Sequence, residues 1–164
     1  MAPTIETRTA GTIAPAELYA LLRLRVDVFV VEQACAYPDL DGQDLLPGTV
    51  HLWAQQDGAL LGGVRVLRAG SARPTIGRVV TAPAARGHGV AGLLLREAIA
   101  LCRSAAPHGS ETTIDLHAQA HLERWYARAG FVRVGAQYLE DDIPHVPMAL
   151  VGLRGPVPDP EVAG

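Results

Sequence analysis

A run of glycines beside a basic side chain is the part of this sequence that most directly suggests ligand binding. Residues 86–92 read RGHGVAG. Glycine has no Cβ atom, so such a backbone can approach a ligand closely, and the first N–H groups of a helix have no partner within it. These amides and the helix dipole favour a phosphate, and Arg86 adds two parallel donors. Ordinary turns between a strand and a helix also use glycine, so an anion site and a plain turn both stay open here.

A strand and a helix must position this run. Ile76, Val79 and Val80 form a short β-branched stretch that predicts a buried strand, and Pro83 follows its end. The spacing of the glycines matches neither a P-loop nor the dinucleotide-binding fingerprint. After them, apolar residues recur at helical spacing, namely Val90, Leu94, Ala98 and Leu101.

The composition is that of a soluble globular protein. The chain has 164 residues, which favours one domain, and 49% of them are hydrophobic and 19% charged. The formal net charge of −3 argues against nucleic acid or an anionic membrane as the main partner. All 14 basic residues are arginines, which excludes a lysine Schiff base.

Cysteine usage and the N-terminus indicate the compartment. Cys35 and Cys102 are too few for a disulfide framework and show no zinc-ligand spacing. The first residues lack a signal-peptide pattern, and no run of about 18 apolar residues occurs. We therefore expect no metal, no membrane segment and a cytoplasmic location.

Strands and helices alternate along the rest of the chain, with hairpins among them, which predicts a mixed sheet in an α/β (α+β) fold. A helix is predicted from Ala16 to about Phe29, where β-branched valines favour a break or a second short helix, and another over residues 119–129. Asp57-Gly58 predicts a hairpin turn. The remaining predicted segments are strands at 4–9, 50–55, 60–67, 112–117, 131–135 and 146–151, a loop at 34–48 and a disordered tail at 152–164.

Two adjacent glycines, Gly62 and Gly63, interrupt the strand at 60–67. Such a pair indicates a bulge or a close approach of a ligand to the backbone. A weak interior position without function is an equal alternative.

Residues 86–91 resemble a motif of the GNAT N-acetyltransferase superfamily. The pyrophosphate loop of that family reads Q/R-x-x-G-x-G/A, and Arg86, Gly89 and Ala91 occupy its fixed positions. Residues 119–131 resemble the helix that closes over the cofactor's pantetheine, with Tyr126 one turn before a Gly-Phe pair. RVDVFVVEQACAYPDLDGQD and YLEDDIPHVPMAL are similar to the ElaA-like branch, so the resemblance covers nearly all of residues 18–150.

The resemblance implies a single GNAT-like domain over residues 1–151, with a central mixed sheet splayed between strands 4 and 5 and flanked by helices. It implies acetyl-CoA as cosubstrate and allows a homodimer through an exposed edge strand. The residues that it implies for cofactor binding are Val79, Val80, Thr81, Arg86, Gly87, His88, Gly89, Val90, Ala91, Gly92 and Gln119.

The acceptor side is implied by the ElaA-like stretches. They point to Arg25, Phe29, Glu32, Gln33 and His145. Arg78, one residue before the amide-donating stretch, could bind an acceptor carboxylate, and a solvated or ion-paired arginine is an equal alternative. The expected acceptor is a small-molecule or peptide amine.

Acetyl transfer from a thioester to an amine needs a donor for the oxyanion, a proton for the leaving thiolate and a neutral amine. In GNAT proteins the amides of the strand, here Val79 to Thr81, are the donors. Tyr126 is our candidate for the proton, although it also fits a buried stripe with Leu122 and Ala129. Deprotonating a lysine-like amine at pH 7 costs about 4.6 kcal/mol, so a base or a water chain is valuable.

The base is the least determined residue. Many GNAT enzymes have a glutamate where this chain has Thr75, which cannot act as a base. We therefore predict Glu32 or His145, acting directly or through water, while Glu32 could instead form a structural ion pair and His145 could be a satisfied polar residue. The other titratable candidates are His117, His121, Glu140 and Asp141.

Two acidic groups suggest a cationic acceptor, and a solvated acidic face is the plainer alternative. They are Asp39, Asp41 and Asp44, and Glu140, Asp141 and Asp142. The prediction is an acetyl-CoA-dependent N-acetyltransferase without a metal. Its rivals are an acyl-CoA-binding sensor without activity, and an acyltransferase for a longer chain that uses space beside Gly62 and Gly63.

Overall fold

The structure is a computed structural model that describes residues 2–154. Its contacts group the described chain into two compact units. The first unit runs to Leu67 and resumes at Ile76–Ala98, and the second comprises Arg68–Thr75 and the chain from Ile99 onward.

The first unit carries an antiparallel arrangement with helices. Strand β1 pairs with β2 and β2 pairs with β3, both antiparallel. Asp57 and Gly58 both have positive φ, 50° and 79°, as a two-residue hairpin turn requires. The elements are β1 (Thr4–Thr9), α1 (Pro15–Arg25), β2 (Val50–Gln56), β3 (Ala59–Leu67), β4 (Thr75–Thr81) and the start of α2 (Val90–Ala105).

The helix α1 changes character where the valines begin. Pro15 opens it, and the Glu17 carboxylate accepts a hydrogen bond of 2.9 Å from the Ala14 N–H. From Val26 to Glu32 the chain continues as a π-helical segment instead of breaking. The predicted irregularity is therefore present, three residues before Phe29, and it takes the form of a wider helix.

Gly62 and Gly63 lie at a bulge and are closely packed. The register steps from Ala54↔Gly62 to Gln55↔Leu60, which leaves Leu61 as the extra residue. A Cβ atom on Gly62 would lie 2.6 Å from the Val80 carbonyl oxygen, and one on Gly63 would lie 2.8 Å from Leu21 Cδ2. A side chain at Gly62 would clash with backbone, so glycine is required there, whereas one at Gly63 would displace the end of the Leu21 side chain.

The second unit is built on a long antiparallel pair. Strand β5 (Glu111–Gln119) pairs with β8 (Ile143–Arg154), and β8 also pairs with β6 (Val132–Arg133) and β7 (Tyr138–Glu140). The first residue of β4, Thr75, pairs in parallel with Asp115 of β5. Ile114, Leu116, Val146 and Met148 alternate into a core that also buries Phe131.

The fold class is confirmed: the protein has a mixed α+β fold, with antiparallel strand pairs in both units and a parallel pairing of Thr75 with Asp115 in the second. The helix predicted over residues 119–129 is shorter, because Gln119 ends β5 and only Glu123–Ala127 (α3) is α-helical after a 3₁₀ turn at Ala120–Leu122. Strand β7 was not predicted. Residues 152–154 extend β8 beyond the predicted boundary, and the rest of the predicted tail, 155–164, lies outside the described residues.

Candidate active site

The predicted strand, turn and helix are present in the first unit. Gly87 and Gly89 both have φ of 77°, and a Cβ atom on either would meet no described heavy atom within 4 Å. The helix α2 begins at Val90, and Leu93 donates to the Gly89 carbonyl at 3.0 Å. The N–H groups of residues 90–92 therefore have no acceptor one helical turn earlier. An open glycine turn before a helix N-terminus fits a diphosphate.

Two side chains of the turn have defined partners. The exposed His88 ring donates from Nδ1 to the Arg86 carbonyl at 2.8 Å, which stabilises the turn. Arg86 forms a two-point ion pair with Glu32, the last residue of the π-helical segment, with Nη1···Oε1 at 2.8 Å and Nη2···Oε2 at 2.9 Å. The hydrogen bond from Arg86 lowers the pKa of Glu32. The structure thus joins a predicted cofactor residue to a predicted base.

Strand β4 has an unusual backbone at Arg78. Its φ is 54°, which is strained for a side chain of this size. Arg78 Nε lies 2.9 Å from Asp39 Oδ1 as an ion pair, and Nη2 donates to Asp41 Oδ2 at 3.2 Å. The guanidinium also lies over the Tyr37 ring, 5.6 Å from its centroid. These contacts hold the strained residue directly before Val79.

The loop at 34–48 is attached by a buried network of charges. Arg25 donates from Nε to Asp39 at 2.9 Å and from Nη1 to Asp44 at 2.5 Å. Arg65 donates to Asp41 at 2.8 Å and to Asp44 at 3.0 Å. Arg25, Arg65, Asp39 and Asp44 are all buried. Each aspartate of the loop is therefore paired with arginine, and the prediction that these carboxylates form a cationic-acceptor site is not supported.

The arginines shift the ionisation of these carboxylates. Burial would raise the pKa of Asp41, but hydrogen bonds from Arg65 and the Gln43 amide, and the charges of Arg65 and Arg78, hold it far below its ordinary value. The pKa of Asp44 is also lowered, because Arg25 and Arg65 outweigh burial. Both carboxylates are thus charged at neutral pH.

Four of the residues expected on the acceptor side, apart from Glu32 and His145, differ in exposure and in the partners of their side chains. All three nitrogens of Arg25 donate within the buried network. Arg78 is likewise ion-paired, with a side chain 25% exposed. Phe29 is half-buried in the π-helical segment, and Gln33 is exposed directly after Glu32.

Tyr126 lies in the second unit, on α3. Its side chain is buried and packs edge-to-face against Trp125 and Phe131, with centroids 4.7 and 6.1 Å away. Burial raises the pKa of Tyr126 to about 12. The phenol is therefore protonated at neutral pH, which suits a proton donor, while the buried ring equally fits the apolar stripe.

His145 and Gln119 are register partners on β8 and β5 of the second unit. His145 Nδ1 donates to the Ile143 carbonyl at 2.8 Å, which leaves Nε2 as the other ring nitrogen, 3.9 Å from Glu140 Oε2. Its side chain is 13% exposed. A neutral imidazole in this tautomer can accept a proton at Nε2.

Sequence reasoning missed Tyr138, which lies beside two histidines. Its hydroxyl is 2.5 Å from His117 Nδ1, and its ring lies 6.0 Å from that of His145. Burial, and then the charge of Glu140, raise its pKa. No local signal was available, because Tyr138 lies on a three-residue strand within the segment predicted to connect two strands.

Within residues 2–154, no group of three or more His, Cys, Asp or Glu side chains could hold a metal ion. In the same part of the chain, no helix combines the length and apolarity needed to cross a bilayer.

Comparisons with known proteins agree with this architecture. Residues 25–151 match the family described as Acetyltransferase (GNAT) domain. UPF0039 protein Rv2851c of Mycobacterium tuberculosis is 46% identical over 139 residues, which cover 82% of this chain and 85% of that protein. Protein ElaA of Escherichia coli K12 is 39% identical over 139 residues, which cover 84% of this chain and 89% of that protein.

Solved structures show the same fold. An acyl-CoA N-acyltransferase from Pseudomonas aeruginosa, known from a crystal structure, is 42% identical in sequence and superposes with a TM-score of 0.82. The match covers 90% of this chain and 99% of that protein's chain. Escherichia coli ElaA, also known from a crystal structure, is 35% identical and superposes with a TM-score of 0.80. That match covers 90% of this chain and 98% of the ElaA chain. The chain therefore belongs to the GNAT acetyltransferase family, in the branch that contains ElaA, and is an acyltransferase.

Proposed function

We propose that this protein transfers an acetyl group from acetyl-CoA to a primary amine by direct attack within a ternary complex. The observation that carries the proposal is the glycine turn at 86–92, with open space at Gly87 and Gly89, the helix amides that lack an acceptor one turn earlier, and Arg86. GNAT proteins use an acyl-CoA thioester, and acetyl is the acyl group that the family match names.

Binding of the cosubstrate uses groups of this chain that suit a diphosphate. The N–H groups of residues 90–92 and the guanidinium of Arg86 are its donors. Gln119 stands where many members of the family have asparagine, and its side-chain amide is the proposed contact to the cofactor at that position. Acetyl-CoA, when bound, supplies the activated thioester.

The strand amides of Val79 to Thr81 are the proposed donors to the thioester carbonyl. The positive φ of Arg78 turns the backbone just before them, and Asp39 and Asp41 hold that turn. Fixed donors of this kind stabilise developing negative charge without reorganising during the reaction.

Two residues remain candidates for accepting the proton of the amine. Glu32 has a lowered pKa while it is paired with Arg86, and is a weak base in that state. His145 donates from Nδ1 to a carbonyl and so presents Nε2 as the ring nitrogen that can accept a proton. Phe29 and Gln33, next to Glu32 in the chain, are the proposed acceptor contacts.

Tyr126 is the proposed donor of a proton to the leaving thiolate. The family motif supports this role. Burial keeps the phenol protonated, but its pKa of about 12 lies above the ordinary thiol pKa of about 8.5 and does not itself favour the transfer.

A longer acyl chain is less favoured by the packing of the first unit. The space beside Gly62 is filled by Val80, Val90 and Leu94, and that beside Gly63 by Leu21. The two glycines therefore offer no room for acyl carbons.

Release of free thiol from acetyl-CoA tests the function. We expect release to depend on added primary amines and to yield the N-acetyl product by mass spectrometry. Tight binding of CoA without release across a broad amine panel would instead support a sensor, and faster release from longer acyl-CoAs would support the other rival.

A further inference from the structure

The ion pair between Glu32 and Arg86 connects two residues that the reaction would use separately. Both are exposed, with side chains 43% and 45% accessible, and they join the π-helical segment to the glycine turn across 54 positions in sequence. Glu32 uses both carboxylate oxygens on the two terminal nitrogens of Arg86. A carboxylate so placed presents to Arg86 the same planar, two-oxygen face that a phosphate would.

We propose that, before the cofactor binds, the Glu32 carboxylate takes the position on Arg86 that the diphosphate would occupy. Cofactor binding then displaces the carboxylate and frees Glu32 to bind a cationic amine acceptor. This inference rests on the proposed function.

Charge and geometry favour an exchange over simultaneous binding. With Glu32 on the terminal nitrogens, a diphosphate would be limited to the remaining edge of Arg86, at Nε, and would lie close to the carboxylate. Like charges at such a distance repel. An exposed ion pair contributes little stability, so displacing Glu32 costs little, and the diphosphate can then use every donor of Arg86 without a neighbouring negative charge.

The exchange sets an order of binding. Until the cofactor binds, the carboxylate of Glu32 is neutralised by Arg86 and attracts an ammonium group weakly. After exchange the same carboxylate can bind the ammonium group of the acceptor. By linkage, a cationic acceptor that binds Glu32 must in turn strengthen cofactor binding.

Calorimetry with CoA alone tests the exchange. We expect Glu32→Gln to bind CoA about three- to tenfold more tightly than the wild type, because a competitor for Arg86 and a repelling charge are both removed. The gain should disappear in an Arg86→Gln background. Asp27→Asn is the matched control, since Asp27 is an exposed carboxylate of the same segment, paired with Arg23 instead.

Weaker or unchanged binding in Glu32→Gln would overturn the proposal, because it would mean that Glu32 stays on Arg86 or orients it for the ligand. An equal gain in Asp27→Asn would also overturn it, since general charge would then explain the effect. Absence of CoA binding in every variant would contradict the proposed function itself.

A second readout follows the carboxylate directly. The ¹³C shift of the Glu32 carboxyl, assigned by its loss in Glu32→Gln, gives its titration with and without CoA. The proposal expects CoA to raise the pKa of Glu32 toward the ordinary value of about 4.3. A pKa that stays equally low with CoA bound would show that the ion pair persists and would refute the exchange.

Discussion

At the scale of single residues, Tyr126 is the most specific chemical assignment. Its phenol is buried and keeps its proton to a pKa of about 12. We expect Tyr126→Phe to lower turnover roughly ten- to a thousandfold with little change in CoA affinity, because only the proton donor is lost. Steady-state rates and CoA calorimetry measure the two effects. Tyr19→Phe, which removes an exposed phenol, is the control, and unchanged turnover in Tyr126→Phe would remove it from the mechanism.

Also at the scale of single residues, a substitution of Gly89 tests whether the backbone conformation of the turn is needed for CoA binding. Its φ is 77°, so Gly89→Ala should cost about 1 kcal/mol of folding free energy and weaken CoA binding about tenfold. Gly58→Ala is a closely matched control, because Gly58 has a φ of 79° and similarly open surroundings in the β2–β3 turn. Equal CoA affinity in both variants would contradict the assignment of the turn.

Residue types and local spacing predicted the turn but not the partners of its side chains. Arg86 and Gly89 could be identified because they lie in one short motif. The ion pair between Arg86 and Glu32 joins positions 54 apart in the chain, so no local sequence pattern could predict it. For the same reason the sequence left the acidic residues of the loop as either a cationic-acceptor site or a solvated face, whereas Arg25, Arg65 and Arg78 neutralise them.

At the scale of elements, the loop at 34–48 depends on its ion pairs. Asp39 and Arg25 are both almost fully buried, so Asp39→Asn removes one of the two buried carboxylates that Arg25 binds. We expect a loss of about 3 kcal/mol in the free energy of unfolding. Asp27→Asn, which breaks an exposed pair with Arg23, should cost less than about 0.5 kcal/mol. Urea unfolding compares them, and similar losses in both variants would show that the network contributes little.

The elements themselves were largely predictable. Alternation and turn chemistry predicted β1 to β5 closely, because the hairpin at Asp57-Gly58 is a strong local signal. The widened helix at Val26–Glu32 was predicted only as an irregularity. Strand β7 has three residues and depends on pairing with β8, so its own sequence is too short to indicate it.

At the scale of the whole molecule, buried titratable groups make stability depend on pH. Burial lowers the pKa of His51, and arginines lower those of Asp41 and Asp44 against the opposing effect of burial. The unfolded chain therefore binds more protons, and stability falls as pH falls. The contribution of His51 is complete above about pH 6.5 and that of the aspartates above about pH 3.9, and each is lost as pH falls through the lower folded pKa.

Urea unfolding across this range measures the effect. We expect a decline between about pH 7 and pH 5 that is reduced in His51→Gln, and a steeper decline below about pH 4 that is reduced in Asp41→Asn. Stability that is constant from neutral to acidic pH would contradict the assigned ionisation of this network.

The central claim is that the turn at 86–92 binds the diphosphate of CoA. Calorimetry with CoA and with pantetheine, which lacks the diphosphate, tests it most directly. The account predicts one CoA per chain and binding of pantetheine that is weaker by about a hundredfold or more. Equal affinity for the two compounds, or no heat with CoA, would contradict it.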